Sequence, residues 1–267
     1  MSEALFVSDG ELFVPSELTR GPWAPDAQHG GAPAALLARC VEGFDGGAAM
    51  FVARLTIELL RPVPLTPLRV TTAFARPGKK VQLVAASLHA GDVEVVRALA
   101  LRIRRAELPV PAEALHRPAP PVGPDHGSVS TAPWHRERAY VAFHSHAVEH
   151  GFVRGSFAEP GPATDWIRLR VPVVAGEAVA PLSRVAAAAD FGNGVSWVLT
   201  RTAGYVFINP DLTIYVHRLP EGEWVCLEAT TRPESHGVGL AESNLWDERG
   251  PIGRSLQSLL LDRGSPA

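Results

Sequence analysis

Alternating apolar and polar positions predict that the first part of this chain is one helix followed by strands. The Ala- and Leu-rich run 29–43 predicts a buried helix, with Pro33 in its first turn, where proline costs no hydrogen bond. Four alternating runs then follow, separated by turn residues such as Gly78 and Gly91. The predicted strands are 51–60, 68–76, 80–90 and 93–104.

The same order recurs in the second half. The run from Pro181 predicts a helix to about Trp197, because alanines dominate it up to Asp190. Alternating runs lie on either side of it, at 139–157, 166–173, 211–218, 223–232, 236–246 and 252–262. A long helix wrapped by a curved antiparallel sheet is the simplest packing for each half, and two such sheets can join into one.

Short motifs repeat between the halves at a nearly constant separation of about 156–157 residues. Leu55-Thr56-Ile57 matches Leu212-Thr213-Ile214, and Arg76-Pro77 matches Arg232-Pro233. Self-similarity at one offset indicates a supersecondary unit used twice, and a period this long indicates a duplicated domain.

A proline-rich stretch lies between the two copies. Residues 106–133 contain seven prolines, beginning at Pro109 and ending at Pro133, so few backbone donors remain there for a sheet. We therefore predict an N-terminal unit at 1–105, a stiff linker at 106–135 and a C-terminal unit at 136–267.

Composition excludes several classes of protein. The 267 residues carry a net charge of −3, which argues against binding nucleic acid through phosphate neutralisation. Cys40 and Cys226 form no Cys-x-x-Cys motif, so we expect a reduced, cytoplasmic protein without a disulfide framework. The acidic start Met1-Ser2-Glu3 argues against a signal peptide, and no apolar run reaches the roughly 20 residues of a membrane span, so no membrane insertion is expected.

The two copies agree in apolar pattern but differ in polar content. Gln257 lies inside an apolar strand where the first copy has Ala100. A buried Gln without partners costs about 1–3 kcal/mol, so Gln257 is either hydrogen-bonded in a site or faces outward on an edge strand. Asp190 ends the alanine run, where its carboxylate either serves chemistry or accepts N–H groups from the turn at Gly192 and Gly194. Asn209, directly before a proline, is by itself typical of a turn.

Three histidines suggest a metal site at first sight. His144, His146 and His150 lie in an alternating run, where a strand would place the outer two about 20 Å apart. A solvated strand face is therefore favoured, with two of them at most reaching one metal. Because the sequence also lacks a Gly-x-Ser-x-Gly elbow, a Walker loop and a dinucleotide fingerprint, we expect no metal and no cofactor.

The chain resembles the acyl-CoA thioesterase II family, whose members carry two hotdog domains in one polypeptide. The resemblance covers nearly the whole chain and rests on five segments. They are His29-Gly30-Gly31, Leu59-Leu60-Arg61-Pro62, Ala189-Asp190-Phe191, Tyr215-Val216-His217-Arg218 and the strand that carries Gln257. It implies an α+β double hotdog, acyl-CoA as substrate, and association into a homodimer or higher homo-oligomer.

The resemblance also implies residue roles. In that family an Asp on the second helix, a Thr or Ser on the next strand and a Gln on a late strand hold the attacking water. Asp190 and Gln257 match the Asp and the Gln, whereas the hydroxyl position falls at Asn209. The family's Asp-His pair beyond it reads Asp211-Leu212 in this chain. These matches predict thioester hydrolysis without a covalent intermediate.

We expect the thioester carbonyl to bind at the start of the first helix. His29, Gly30 and Gly31 are the candidate residues, because a helix N-terminus favours a developing oxyanion and glycine allows a close approach. The phosphates of coenzyme A would meet surface arginines. Two rivals remain: a non-catalytic acyl-CoA-binding protein, and a hotdog enoyl-CoA hydratase, which needs a His near its Asp. No His lies near Asp190 in the sequence, which counts against the hydratase.

Overall fold

One antiparallel sheet of thirteen strands runs through the described residues of the computed structural model, which are 3–115, 117–130, 140–200 and 204–264. The strands are β1 (Phe6–Asp9), β2 (Leu12–Pro15), β3 (Met50–Leu59), β4 (Leu68–Arg76), β5 (Val81–Ala90), β6 (Val93–Arg104), β7 (Val148–Ser156), β8 (Glu159–Leu169), β9 (Tyr205–Ile208), β10 (Asp211–Val216), β11 (Trp224–Pro233), β12 (Val238–Asp247) and β13 (Gly250–Arg263). The α-helices are α1 (Gly31–Gly43), α2 (Pro181–Ala189) and α3 (Gly192–Val195).

The two copies meet where β3 pairs with β10. The strand order is β1-β2-β4-β5-β6-β3-β10-β13-β12-β11-β8-β7, with β9 paired to β13 beside this path. At the seam Thr56 lies opposite Thr213, and the duplicated Leu-Thr-Ile triplets pair with each other in antiparallel register. The register inside each copy also agrees, since Thr56 pairs with Leu99 and Thr213 with Leu256. The prediction of two joined hotdog sheets is confirmed.

Helices α1 and α2 cross the inner face of this sheet in contact with each other. Small residues allow a close approach: a side chain at Gly31 would come within 2.8 Å of the Ala187 carbonyl oxygen. The hydroxyl of Ser183 donates to the Ala35 carbonyl at 3.0 Å. The contacts pair the start of α1 with the end of α2, so the helices run antiparallel and bring these two ends together.

Most of the predicted elements are present. The helix in 29–43 and the strands expected at 51–60, 68–76, 80–90 and 93–104 match α1 and β3 to β6 within one or two residues. Strands β10 to β13 also lie where the alternation predicts them. The short strands β1, β2 and β9 were not predicted. The strands expected at 139–157 and 166–173 are β7 and β8 with different bounds, and residue 139 lies outside the described residues.

Two local expectations are wrong. The segment Phe143–Ala147 is a π-helical turn and not part of a strand, because Ser145 and His146 bond the backbone of Ala142 locally. The second helix ends at Ala189 and does not continue to Trp197. A turn at Asp190 and Phe191 separates it from the four-residue α3.

The proline-rich segment packs on the outer face of the second copy. Trp166 on β8 donates its indole N–H to the Val122 carbonyl at 2.7 Å, and Ser128 forms a bridge with Phe152 on β7. Within the part of 106–133 that the structure describes there is no strand, only short 3-10 turns at Ala112–Ala114 and Pro124–His126. The segment is therefore attached to the second copy as well as connecting the two. No helix of the described residues is long and apolar enough to cross a membrane.

Candidate active site

The structure brings all the candidate residues to one place between the two copies. Asp190 directly follows α2, Gln257 lies in the middle of β13, and His29 with Gly30 precedes α1. Antiparallel packing of the helices places the beginning of α1 against the end of α2, which is why residues so distant in sequence meet.

A kink between β9 and β10 brings Asn209 to the same place. Both strands pair with the same side of β13: Ile208 lies opposite Leu260, and Thr213 lies opposite Leu256. Asn209 and Pro210 interrupt this pairing beside the stretch that contains Gln257. Proline has no N–H for the ladder, so a break is expected at this position.

Side-chain donors surround the carboxylate of Asp190, whose side chain is only 6% exposed. Asn209 Nδ2 donates to Oδ1 at 2.9 Å, and Gln257 Nε2 donates to the same oxygen at 3.3 Å. His29 Nδ1 lies 2.9 Å from Oδ2. None of the described hydrogen bonds of this carboxylate comes from the N–H of Gly192 or Gly194. The alternative that Asp190 only accepts the N–H groups of this turn is therefore wrong.

Gln257 is held in one orientation by its neighbours. Its Oε1 accepts the backbone N–H of Asn193 at 3.0 Å, so its Nε2 must face the carbonyl and carboxylate of Asp190. Gly192 permits this approach, because a side chain there would lie 2.9 Å from Oε1. Gln257 is 1% exposed, on a strand paired on both sides. The edge-strand reading of this residue is therefore wrong.

The contact between His29 and Asp190 was not predicted from the sequence. The His29 side chain is 11% exposed, and its ring also contacts the rings of Phe143 and Phe191, at centroid distances of 4.9 and 4.6 Å. The expectation that no His lies near Asp190 is thus wrong in space, although it is true of the local sequence. The start of α1 was singled out as a candidate, but the pairing of the two helix ends could not be seen without the fold.

The glycines at the start of α1 are required by close contacts. A side chain at Gly30 would lie 2.8 Å from Asp190 Oδ2, and one at Gly31 would meet the Phe143 ring at 2.9 Å. The N–H of Gly31 donates to His29 Nδ1 at 3.1 Å. That nitrogen carries either a proton or a lone pair, so it cannot donate to Asp190 and accept from Gly31 at once.

A buried hydroxyl network supports the turn after Asp190. Thr231 on β11 donates to Asn193 Oδ1 at 3.3 Å, and its hydroxyl lies 2.8 Å from that of Ser196. The Ser196 hydroxyl in turn lies 2.8 Å from the Gly192 carbonyl. This network fixes the peptide whose N–H orients Gln257. Sequence reasoning assigned no role to Asn193, although it stands three residues after Asp190.

The three histidines considered for a metal site do not form one. His144 and His146 lie in the π-helical turn, whereas His150 lies in β7. Across the residues that the structure describes, no group of three or more His, Cys, Asp or Glu could hold a metal ion. His150 instead pairs with Asp165.

Comparisons with known proteins agree with this architecture. Residues 19–103 match the family model of the acyl-CoA thioesterase N-terminal domain, and residues 111–261 match that of the acyl-CoA thioesterase C-terminal domain. No curated protein matches the sequence.

Three similar solved structures share the fold. A candidate thioesterase II from Thermobifida fusca YX is 18% identical, with a TM-score of 0.74 over 97% of this chain and 95% of that one. A hot dog protein of unknown function from Alicyclobacillus acidocaldarius is 17% identical, with a TM-score of 0.68 over 98% and 96%. The acyl-CoA thioesterase II TesB2 from Mycobacterium marinum is 15% identical, with a TM-score of 0.65 over 99% and 97%.

Proposed function

Because the chain belongs to the acyl-CoA thioesterase family, whose members are thioester hydrolases, we propose that it hydrolyses acyl-CoA through a water molecule activated by Asp190. The observation that carries this proposal is the nearly buried Asp190 carboxylate, which Asn209 and Gln257 hold by hydrogen bonds and which His29 Nδ1 approaches to 2.9 Å. No covalent enzyme intermediate is needed.

The acceptor positions of Asp190 support a place for the water on Oδ2. An ionised carboxylate offers about four lone-pair positions, of which Asn209 and Gln257 occupy two and His29 a third when its Nδ1 carries a proton. The fourth is free to accept a proton of water, on Oδ2, which has a single protein partner. Gln257 and Asn209 both donate to Oδ1. They fix the orientation of the carboxylate and so hold the water at an attacking distance.

Gln257 therefore acts in this proposal through Asp190 and the Asn193 peptide. Replacing it by Ala removes one donor and leaves the buried Asn193 N–H unpaired. We expect Gln257→Ala to lower kcat about 10- to 100-fold with a small change in KM, because misplacement of about 1 Å has effects of this size. A kcat within about twofold of the wild type, in folded protein, would contradict this role.

The His29 side chain lies between the Asp190 carboxylate and the start of α1. When Nδ1 carries a proton, it donates to Asp190 and leaves the N–H of Gly31 without its acceptor. That N–H lies at the N-terminus of α1, where the helix dipole favours negative charge. We propose that it and the neighbouring Gly30 N–H stabilise the oxyanion formed from the thioester carbonyl.

Asp190 both accepts and returns the proton that is transferred in the reaction. The carboxylate takes a proton from water as the water oxygen attacks the thioester carbon. The tetrahedral intermediate then breaks its carbon–sulfur bond, and Asp190 returns the proton to the leaving thiolate. The products are a free acid and coenzyme A.

One observation favours a second candidate. The distance of 2.9 Å between His29 and Asp190 provides the acid–base pair that a hotdog enoyl-CoA hydratase requires. Hydration of an enoyl-CoA removes the conjugated double bond and releases no thiol. The third candidate, an acyl-CoA-binding protein, would release no thiol and would retain intact ligand.

One set of assays separates these functions. Purified protein is incubated with saturated acyl-CoAs of increasing chain length and with the matching enoyl-CoAs, while thiol release and enoyl absorbance are followed. We expect thiol release from saturated substrates. Loss of enoyl absorbance without thiol would indicate the hydratase, and intact acyl-CoA bound in native mass spectrometry without turnover would indicate the binding protein. Association into dimers or larger assemblies stays a prediction, which light scattering can test.

A further inference from the structure

A second His–Asp pair lies buried behind the candidate active site. His150 on β7 and Asp165 on β8 are 5% and 0% exposed, and His150 Nδ1 lies 2.6 Å from Asp165 Oδ2. Burial raises the pKa of Asp165, whereas the neighbouring His150 and a hydrogen bond from the Gly151 backbone act to lower it. The proposed hydrolysis uses neither residue.

Stability alone explains this pair poorly. His150 Nε2 and Asp165 Oδ1 are buried without a hydrogen-bond partner in the described residues. Unsatisfied buried atoms destabilise a fold, and buried charged pairs are often no better than apolar residues of similar volume. A reason for keeping the pair must therefore be sought in what its ring touches.

Phe191 connects this pair to the active site. Its ring meets His150 edge-on, at a centroid distance of 4.9 Å and an interplanar angle of 82°. The same Phe191 ring lies 4.6 Å from the ring of His29. Phe191 also directly follows Asp190, so displacement of its ring would move the carboxylate and its histidine partner together.

We propose that His150, oriented by Asp165, is a positioning residue that fixes Phe191 and through it the His29–Asp190 contact. The hydrogen bond to Asp165 sets the plane of the imidazole, and the Phe157 ring also meets it edge-on, at a centroid distance of 4.9 Å. This inference rests on the proposed function, because it concerns the geometry of the same site.

The first test is Asp165→Asn, which keeps the side-chain shape and removes the charge. We expect kcat to fall about 10- to 100-fold while KM changes less than about twofold, as for a misplaced reacting group. The matched control is Trp166→Phe, because Trp166 is the next residue on β8, is 0% exposed, and loses its bond to Val122 and part of its ring on the opposite face. The control should lose stability but keep kcat within about twofold of the wild type.

A double variant separates positioning from folding. His150→Leu with Asp165→Leu replaces the pair with apolar residues, which we expect to fold with a melting temperature at or above that of the wild type. Its kcat should nevertheless remain at least about tenfold reduced. Recovery of wild-type kcat in this variant would overturn the proposal, as would an unchanged kcat in Asp165→Asn.

Further measurements test whether Asp165 acts through Phe191 on His29 and whether the protein releases thiol at all. In a Phe191→Leu background, Asp165→Asn should lower kcat by less than about twofold further, because coupled residues are not additive. Imidazole nitrogen NMR of His29 should also change in Asp165→Asn and not in Trp166→Phe. If the wild type releases no thiol, the proposed function fails, whereas an unchanged His29 spectrum overturns the positioning role independently of activity.

Discussion

The substitution Asp190→Asn tests the centre of the proposed site with little change in shape. The amide oxygen can still accept from Asn209 and Gln257, which both donate to Oδ1. An NH₂ group in place of Oδ2 cannot accept a proton from His29 Nδ1, so that contact loses its donor–acceptor match and the general base is lost. Loss of a general base lowers rates about 10²- to 10⁴-fold, which corresponds to about 3–5 kcal/mol of transition-state stabilisation.

The effect should fall on kcat, because the base acts only when water attacks. Thiol release is measured with a saturated acyl-CoA over a range of concentrations, and folding is checked by thermal melting. The unfolding free energy should fall by no more than about 2 kcal/mol, since removal of a buried charge partly offsets the lost hydrogen bonds.

Asp211→Asn is the matched control. Asp211 lies two residues from Asn209, but its carboxylate accepts the Ser258 N–H at 2.6 Å and has no described hydrogen bond to the side chains around Asp190. We expect its kcat to stay within about threefold of the wild type, since it takes no part in proton transfer. If folded Asp190→Asn protein hydrolyses substrate within that same range, Asp190 is not the base and the mechanism is wrong.

Two further predictions concern the space beside Gly30 and the pH dependence of stability. Gly30→Ala would place a methyl group 2.8 Å from Asp190 Oδ2 and should lower kcat at least about tenfold in the thiol assay. The control Gly43→Ala, at the open end of the same helix, should retain kcat and gain about 0.5–1 kcal/mol of stability. Burial opposes ionisation of Asp247, but hydrogen bonds from Arg218 and two backbone N–H groups hold its pKa below the usual range. Such a carboxylate stabilises the fold above the unfolded pKa of about 3.9 and less as pH falls through the folded value. Asp247→Asn should therefore cost about 3–5 kcal/mol in denaturant unfolding at pH 7, and this difference should shrink below about pH 4; a difference independent of pH would contradict it.

Regular alternation made the scaffold predictable from the sequence. Strands β3 to β6 and β10 to β13 each alternate between a more buried and a more exposed face, and a strand with one buried face has only one workable register. The duplicated triplets even pair with each other at the seam between Thr56 and Thr213. The short strands β1, β2 and β9 were missed because four residues are too few for a periodic signal.

The site was only partly predictable, for a different reason. Asp190 and Gln257 stood out because a polar residue inside an apolar run needs partners. The contacts of His29 with Asp190 and of His150 with Asp165 depend on which helix ends and strands become neighbours. A pattern along the chain does not contain that information. The sequence favoured a position for His150 on a solvated strand face, although its side chain is 5% exposed.

Alignment of the two helices explains why the duplicated fold carries one such site. Pro33 and Pro181 each stand in the first turns of their helices, and aligning them places Glu42 at the position of Asp190. Glu42 lines a cavity of about 570 Å³ at the opposite end of the helix pair. The fold thus provides a cavity where symmetry would place a second active site.

The same alignment places Glu177 at the position of His29, so this cavity has two carboxylates where the candidate active site has a carboxylate and an imidazole. Glu177 is bound by the Arg39 guanidinium through two hydrogen bonds of 2.6 Å, which removes it from any role as a partner of Glu42. Ala100 replaces Gln257, so no amide can orient an acid there. We infer that hydrolysis proceeds at one site per chain. That site needs both copies, because the first supplies His29 and the second supplies the carboxylate that it contacts.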